Sequence, residues 1–246
     1  MPFLVVASLL AQFTCGYHAV RTNRVSPWLY IIIFFPGLGC LIYFSTQMLP
    51  ELLHSRVARK VSSDVTRVVD PDRELRRRIQ ALGIADTAEN KRQLAEECLE
   101  REMYAEAAEL YERALEPPLD THPPLMMGLA RARFGMDDFT GTIEVLDRLR
   151  ESNPEFQSAD GHLLYARALA ESGQLAGAVQ EYSYLVEYYP GEEARARYAS
   201  LLEKTGDSVK AQELYREIVQ RVDRGNKHYF RVQRLWYDAA KERLRS

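Results

Sequence analysis

Hydrophobic residues are distributed in two different ways along this chain. Residues 1–20 carry no charged side chain, and neither do residues 25–50. Beyond residue 70 the apolar positions recur every three or four residues among charged ones, the period of amphipathic helices. The first pattern suits lipid and the second suits a packed helical array. Trp28 to Leu49 is long enough as a helix to cross a hydrocarbon layer of about 30 Å at about 1.5 Å per residue. Phe3 to Val20 is diluted by Gln12, Thr14 and His18. It reads either as a first span or as a segment lying in the interface. It lacks the basic start and the small-residue cleavage site of a signal peptide.

Residues 1–50 are therefore expected to form a two-span anchor, and 51–87 a juxtamembrane linker with one short helix. Asp70-Pro71-Asp72 supplies that helix with a cap, a first-turn proline and an acid at the positive end of its dipole, and Gly83 is placed at its end. Arg76, Arg77 and Arg78 lie within it, facing either lipid head groups or solvent.

Past residue 88 one pattern repeats. A small residue is followed four positions on by a large one, and three further on by another small or apolar one. The sets are Ala107, Tyr111, Ala114; Thr142, Leu146, Leu149; Ala178, Tyr182, Leu185; and Ala211, Tyr215, Ile218, spaced by 35, 36 and 33 residues. Tyr104, Phe139 and Leu175 precede three of the sets by three positions, where the fourth has Ser208. Upstream of each set is a large-small pair: Leu94-Ala95, Leu129-Ala130, Tyr165-Ala166 and Tyr198-Ala199. Gly135, Gly173 and Gly206 fall where each later first helix should end, in left-handed caps. Pro154 and Pro190 follow two of the sets.

A period near 34 with this pattern resembles the tetratricopeptide (TPR) family. The resemblance implies an all-α fold, a TPR α-solenoid preceded by a transmembrane helical hairpin. Its four repeats run about 88–121, 123–156, 159–190 and 192–225, with a capping helix over 226–246. In that helix Tyr229, Val232, Trp236, Ala239 or Ala240, and Leu244 form the expected buried stripe. The first repeat lacks the turn glycine, the last lacks the terminal proline, and none has the usual first-helix tryptophan.

TPR arrays hold peptides or partner helices on the concave face. The family's contact positions fall on Glu89, Arg92 and Glu96; on Met127, Arg131 and Phe134; on Leu163, Arg167 and Ala170; and on Glu193, Arg197 and Ser200. The resemblance thus implies a partner site containing Arg92, Met127, Arg131, Phe134, Arg167 and Arg197. Arginine binds carboxylates bidentately, so an acidic peptide or a C-terminal carboxylate suits it. The competing reading pairs these arginines with nearby acids such as Glu171 or Glu203. Tyr184, Tyr188 and Tyr189 form either a partner surface or the filling of the next repeat junction.

Charge sharpens the division. Residues 1–60 hold five basic side chains and one acidic, a balance of +4, whereas the rest hold 27 basic and 34 acidic, a balance of −7. A body of that sign argues against nucleic acid. The larger basic cluster follows the second apolar segment (Arg56, Arg59, Lys60, Arg67), which favours a cytoplasmic body on a bacterial inner membrane. Cys15, Cys40 and Cys98 make no CxxC pair, and the five histidines make no HxxxH or HExxH set. No phosphate loop or nucleophile motif is present. The chain is expected to be a non-enzymatic scaffold that takes a protein or peptide partner, with no cofactor, metal or small-molecule substrate.

The apolar head has its own resemblance. Trp28, the Ile/Phe run, Pro36-Gly37-Leu38-Gly39 and Leu41-Ile42-Tyr43-Phe44 resemble the N-terminal membrane module of bacterial cardiolipin synthases and other phospholipase D-type proteins. Their catalytic H-x-K-x4-D motif is missing, since no histidine here is followed by Lys two positions on. The resemblance implies an anchor without the enzyme. A regulatory subunit of an envelope or phospholipid-metabolism complex is the alternative role. Membrane-anchored TPR regulators of envelope lipid assembly are similar in plan but carry paired CxxC motifs that this chain lacks.

Overall fold

The computed structural model describes residue 70 and residues 72–245, with single helical positions at Tyr17 and Ile42. The two expected spans, apart from those two positions, and the linker over 51–69 lie outside the described residues. Among the described residues, no helix is long and apolar enough to cross a membrane. The chain divides into two compact units, Met1–Arg73 and Glu74–Ser246, and the architecture below belongs to the second.

The described residues of that unit are all α-helix and connections. A lead helix, α1 (Arg73–Ile84), precedes four helix pairs. These are α2 (Ala88–Glu100) with α3 (Tyr104–Ala114), and α4 (Pro123–Gly135) with α5 (Phe139–Ser152). They continue as α6 (Ala159–Glu171) with α7 (Leu175–Tyr188), and α8 (Glu193–Thr205) with α9 (Ser208–Arg224). Helix α10 (Lys227–Arg243) follows. Each helix from α2 onward packs on its sequence neighbours, and first helices also touch each other: α2 with α4, α4 with α6, α8 with α10. The layer whose helices meet is the inner, more tightly curved one. Such short-range stacking makes a solenoid.

Local chemistry starts the helices. Thr87, Ser158 and Asn226 cap first helices by accepting from the backbone N–H three residues on, and Asp138 and Asp207 do the same for the second helices α5 and α9. Each cap satisfies a donor that the helix cannot pair internally.

Every residue of the recurring small-large-small sets is buried. Their packing is specific. The Tyr111 ring of α3 lies against Gly128 of α4, and the Tyr104 ring against Gly135, so closely that a Cβ at either glycine would overlap the ring. Thr142 stands where the other sets have Ala. Its fully buried hydroxyl donates to the Asp138 carbonyl at 2.8 Å, which removes the cost of an unpaired polar group.

Gly135 is thus not a left-handed cap. It lies within α4, and Asp137 takes the positive φ of 60° instead. The first pair uses Glu102, also at 60°, while Gly173 and Gly206 hold φ of 83° and 94° in the third and fourth. The left-handed residue is two before the second helix in all four pairs, and only two of the four are glycine. Gly83 likewise lies inside the last turn of α1.

Helix α10 buries most of the expected stripe, but Gln233 and Tyr237 join it and Val232 leaves it. Gln233, Tyr237 and Ala240 are buried, Tyr229, Trp236 and Leu244 are partly buried, and Val232 is exposed. The face is set by Glu192, whose fully buried carboxylate sits at the α7–α8 turn. It pairs with Arg195 at 2.8 Å and Arg221 at 2.9 Å and accepts from the Tyr229 hydroxyl at 2.6 Å. Gln233 accepts from the Glu192 backbone N–H at 2.9 Å. That polar cluster draws Tyr229 and Gln233 inward and turns Val232 out.

Candidate functional site

The inner layer of first helices carries a cleft of about 550 Å³. Helix α4 supplies Arg131 and Phe134 from its last turns, and α6 supplies Leu163 and Arg167. Tyr104 begins α3, Tyr189 follows α7, and Glu193 opens α8, so all four helix pairs reach the cleft.

The arginines expected there are not equivalent. Arg131 is exposed, and among the described residues it makes no ion pair. The Arg167 guanidinium lies 4.5 Å from the centre of the Phe134 ring, a cation–π contact. It too makes no ion pair among the described residues. Burial, with the Arg197 cation nearby, lowers its pKa, and Glu193 opposes the shift. It stays charged, because arginine does not give up its proton in proteins. A cation held partly out of water with no carboxylate against it interacts strongly with an incoming anion.

Arg92 and Arg197 are engaged within their own helices. Arg92 pairs with Glu89 at 2.7 Å and with Glu96. Hydrogen bonds from Arg92 and Gln93 draw the Glu89 carboxyl down to about 2, and the bond to Glu89 raises Arg92. Arg197 pairs with Glu193 at 2.8 Å and lies 5.3 Å from the Trp236 ring centre. Glu203 instead accepts from the Tyr215 hydroxyl at 3.1 Å and pairs with Arg243 at 3.6 Å. The structure therefore brings Arg131, Arg167 and Phe134 together in one cleft and leaves Arg92 outside it.

Met127 does not join them. It is buried, with its sulfur against Gly161. Because Gly161 has no side chain, α6 comes close and the flexible thioether fills the gap. Met127 lines a second cleft of about 580 Å³ between α5, α6 and α7, with Phe156, Tyr165 and Tyr188. There His162 Nε2 meets Glu181 at 2.7 Å, and its Nδ1 meets the Tyr188 hydroxyl. Tyr184 and Tyr188 are exposed, whereas Tyr189 packs on the core.

Some lining residues were not expected from spacing. Tyr104 is legible only as a repeat marker. Asp137 and Asp160 bring acid to the arginine rim, and the Tyr189 hydroxyl donates to Asp160 at 3.4 Å. Burial holds two core tyrosines, Tyr111 and Tyr182, up to about 12. Among the described residues, no group of three or more His, Cys, Asp or Glu could hold a metal ion.

No protein-family model and no curated protein matches the chain. Solved structures do. The chain is 19% identical to YrrB, described as a TPR protein with an unusual peptide-binding site, with a TM-score of 0.53 over 73% of this chain and 88% of that one. It is 17% identical to a thermophilic TPR protein of Thermus thermophilus, with a TM-score of 0.53 over 74% and 96%. A single-substitution form of a Podosopora anserina putative kinesin light chain, built of nearly identical TPR-like repeats, is 18% identical at a TM-score of 0.50 over 64% and 91%. The helix pairs, their spacing and these likenesses agree: the described chain has the TPR solenoid fold.

Proposed function

We propose that this protein is a membrane-tethered scaffold whose inner cleft holds an extended acidic segment, or a C-terminal carboxylate, of a partner protein. One observation carries the reading: Arg131 and Arg167 line the same cleft as Phe134, Tyr104 and Tyr189, and among the described residues neither arginine stands in an ion pair, although Asp137, Asp160 and Glu193 line the cleft as well. The half-buried Arg167 and the exposed Arg131 can each hold a carboxylate bidentately, and the flanking rings take apolar side chains. Arg197, held by Glu193, plays a supporting part. The peptide-binding site in the description of YrrB is consistent with such a use of this fold. Residues 1–50 serve as the tether, since their uncharged runs and flanking arginines suit a bilayer, and the body faces the cytoplasm of a bacterial cell.

The test is capture by full-length protein in mild detergent, compared with Arg131→Glu/Arg167→Glu. A stoichiometric partner is expected with the first and at least a tenfold weaker yield with the second, whose circular dichroism and melting should be unchanged. Equal capture by both would remove the cleft from the recognition surface.

A further inference from the structure

Helix α10 has a flank that nothing described covers. Counted from the helix starts, Val232 and Leu235 occupy the places that Tyr198 and Leu201 hold on α8. On α8 those two are 2% and 5% exposed, and Lys210 of the paired helix α9 donates to the Tyr198 hydroxyl at 3.0 Å. On α10 the corresponding residues are 59% and 69% exposed, and Ala239 is exposed beside them. Val232, Leu235 and Ala239 are spaced three and four apart, so they form one apolar stripe.

Beside the stripe, His228 and Arg231 precede Leu235, while Glu242 and Arg243 follow it. Arg231 and Glu242 make no ion pair among the described residues, although other charges on the helix do: Arg234 pairs with Asp238 at 3.4 Å and Arg243 with Glu203 at 3.6 Å. A helix with base before and acid after a central leucine is complementary to itself when reversed. Antiparallel pairing about Leu235 sets Arg231 opposite Ala239 of the second copy, within one turn of about 5.4 Å of its Glu242, and sets His228 opposite Glu242. The two-fold axis makes each contact occur twice.

We infer that this flank of α10 is a self-association surface, and that a second copy of this chain packs its own α10 antiparallel across Val232, Leu235 and Ala239. The surface is separate from the cleft of Arg131 and Arg167, so each stands or falls alone.

Light-scattering mass of the full-length chain in mild detergent, followed over concentration, tests this. A concentration-dependent two-chain species is expected. Leu235→Asp and Arg231→Glu should each raise its dissociation constant at least tenfold. Arg231→Glu/Glu242→Arg in one chain should restore it to within about threefold, because the swap preserves the complementarity. Both sites are on the surface, and unchanged melting confirms that the variants fold. A single chain at every concentration, a pair indifferent to Leu235→Asp, or a charge swap that fails to rescue would each overturn the inference. In the first case, quenching of a fluorophore at position 235 by anionic phosphatidylglycerol vesicles would assign the flank to a bilayer surface instead.

Discussion

Gly128 shows what a single residue decides in this fold. The repeat places a large ring on one helix and a small residue on the facing one. At Tyr111 the facing residue has no side chain at all, and the ring occupies the position of the absent Cβ. Gly128→Ala is expected to destabilise by about 1–3 kcal/mol, the usual cost of overpacking a filled core, although alanine is the better helix former by about 1 kcal/mol. Thermal unfolding measures this, and a melting temperature that rises would show that the ring has room to move. Arg167 makes the same point for the cleft. Its place in the repeat suggests a concave-face cation, and the structure adds that it is half-buried over the Phe134 ring and in no ion pair among the described residues.

At the scale of the element, the turn inside each helix pair requires one left-handed residue, and chemistry supplies it unequally. Gly173 and Gly206 adopt it without strain, while Glu102 and Asp137 must bear a Cβ there. A non-glycine residue in that region costs about 1–2 kcal/mol, and glycine loses about 0.5–1 kcal/mol more chain entropy on folding. Glu102→Gly should therefore stabilise by about 0.5 kcal/mol, and Asp137→Gly by less, since aspartate visits the region more readily. Denaturant midpoints at constant slope read the change. A loss of stability in Glu102→Gly would mean that the glutamate side chain contributes something other than strain.

For the whole molecule, stacking means that stability is local along the array. Glu192 ties α8, α9 and α10 through Arg195, Arg221 and Tyr229 with its carboxylate fully out of water. Glu192→Ala leaves Arg195 buried without its nearest carboxylate, and breaking a buried pair in this way costs about 3–5 kcal/mol. Hydrogen exchange should show protection falling across α8 to α10 while α2 to α5 keep theirs, because those pairs share no contact with the cluster. Uniform loss over the array would contradict a modular stack.

The all-helical repeat was legible because its signal is periodic: small and large residues return at nearly constant spacing, and a spacing is a property of sequence. Ala107, Tyr111 and Ala114 announce their burial in this way, as do their counterparts in the later pairs. Other features depend on which surfaces meet. Gly135 looks like a cap, and the ring of Tyr104 makes it a packing site. Met127 and Arg131 share a helix four residues apart, yet Gly161 draws the first inward and leaves the second exposed. Val232 belongs to an apolar stripe by spacing, and the buried Glu192 cluster rotates α10 so that Gln233 and Tyr237 face in. Sequence by itself determined the fold class and the repeat, since periodic burial needs no knowledge of neighbours. Tertiary structure alone decided which arginines stand in ion pairs and which flank of α10 no described residue covers. Both depend on contacts between residues far apart in the chain, which no local spacing encodes.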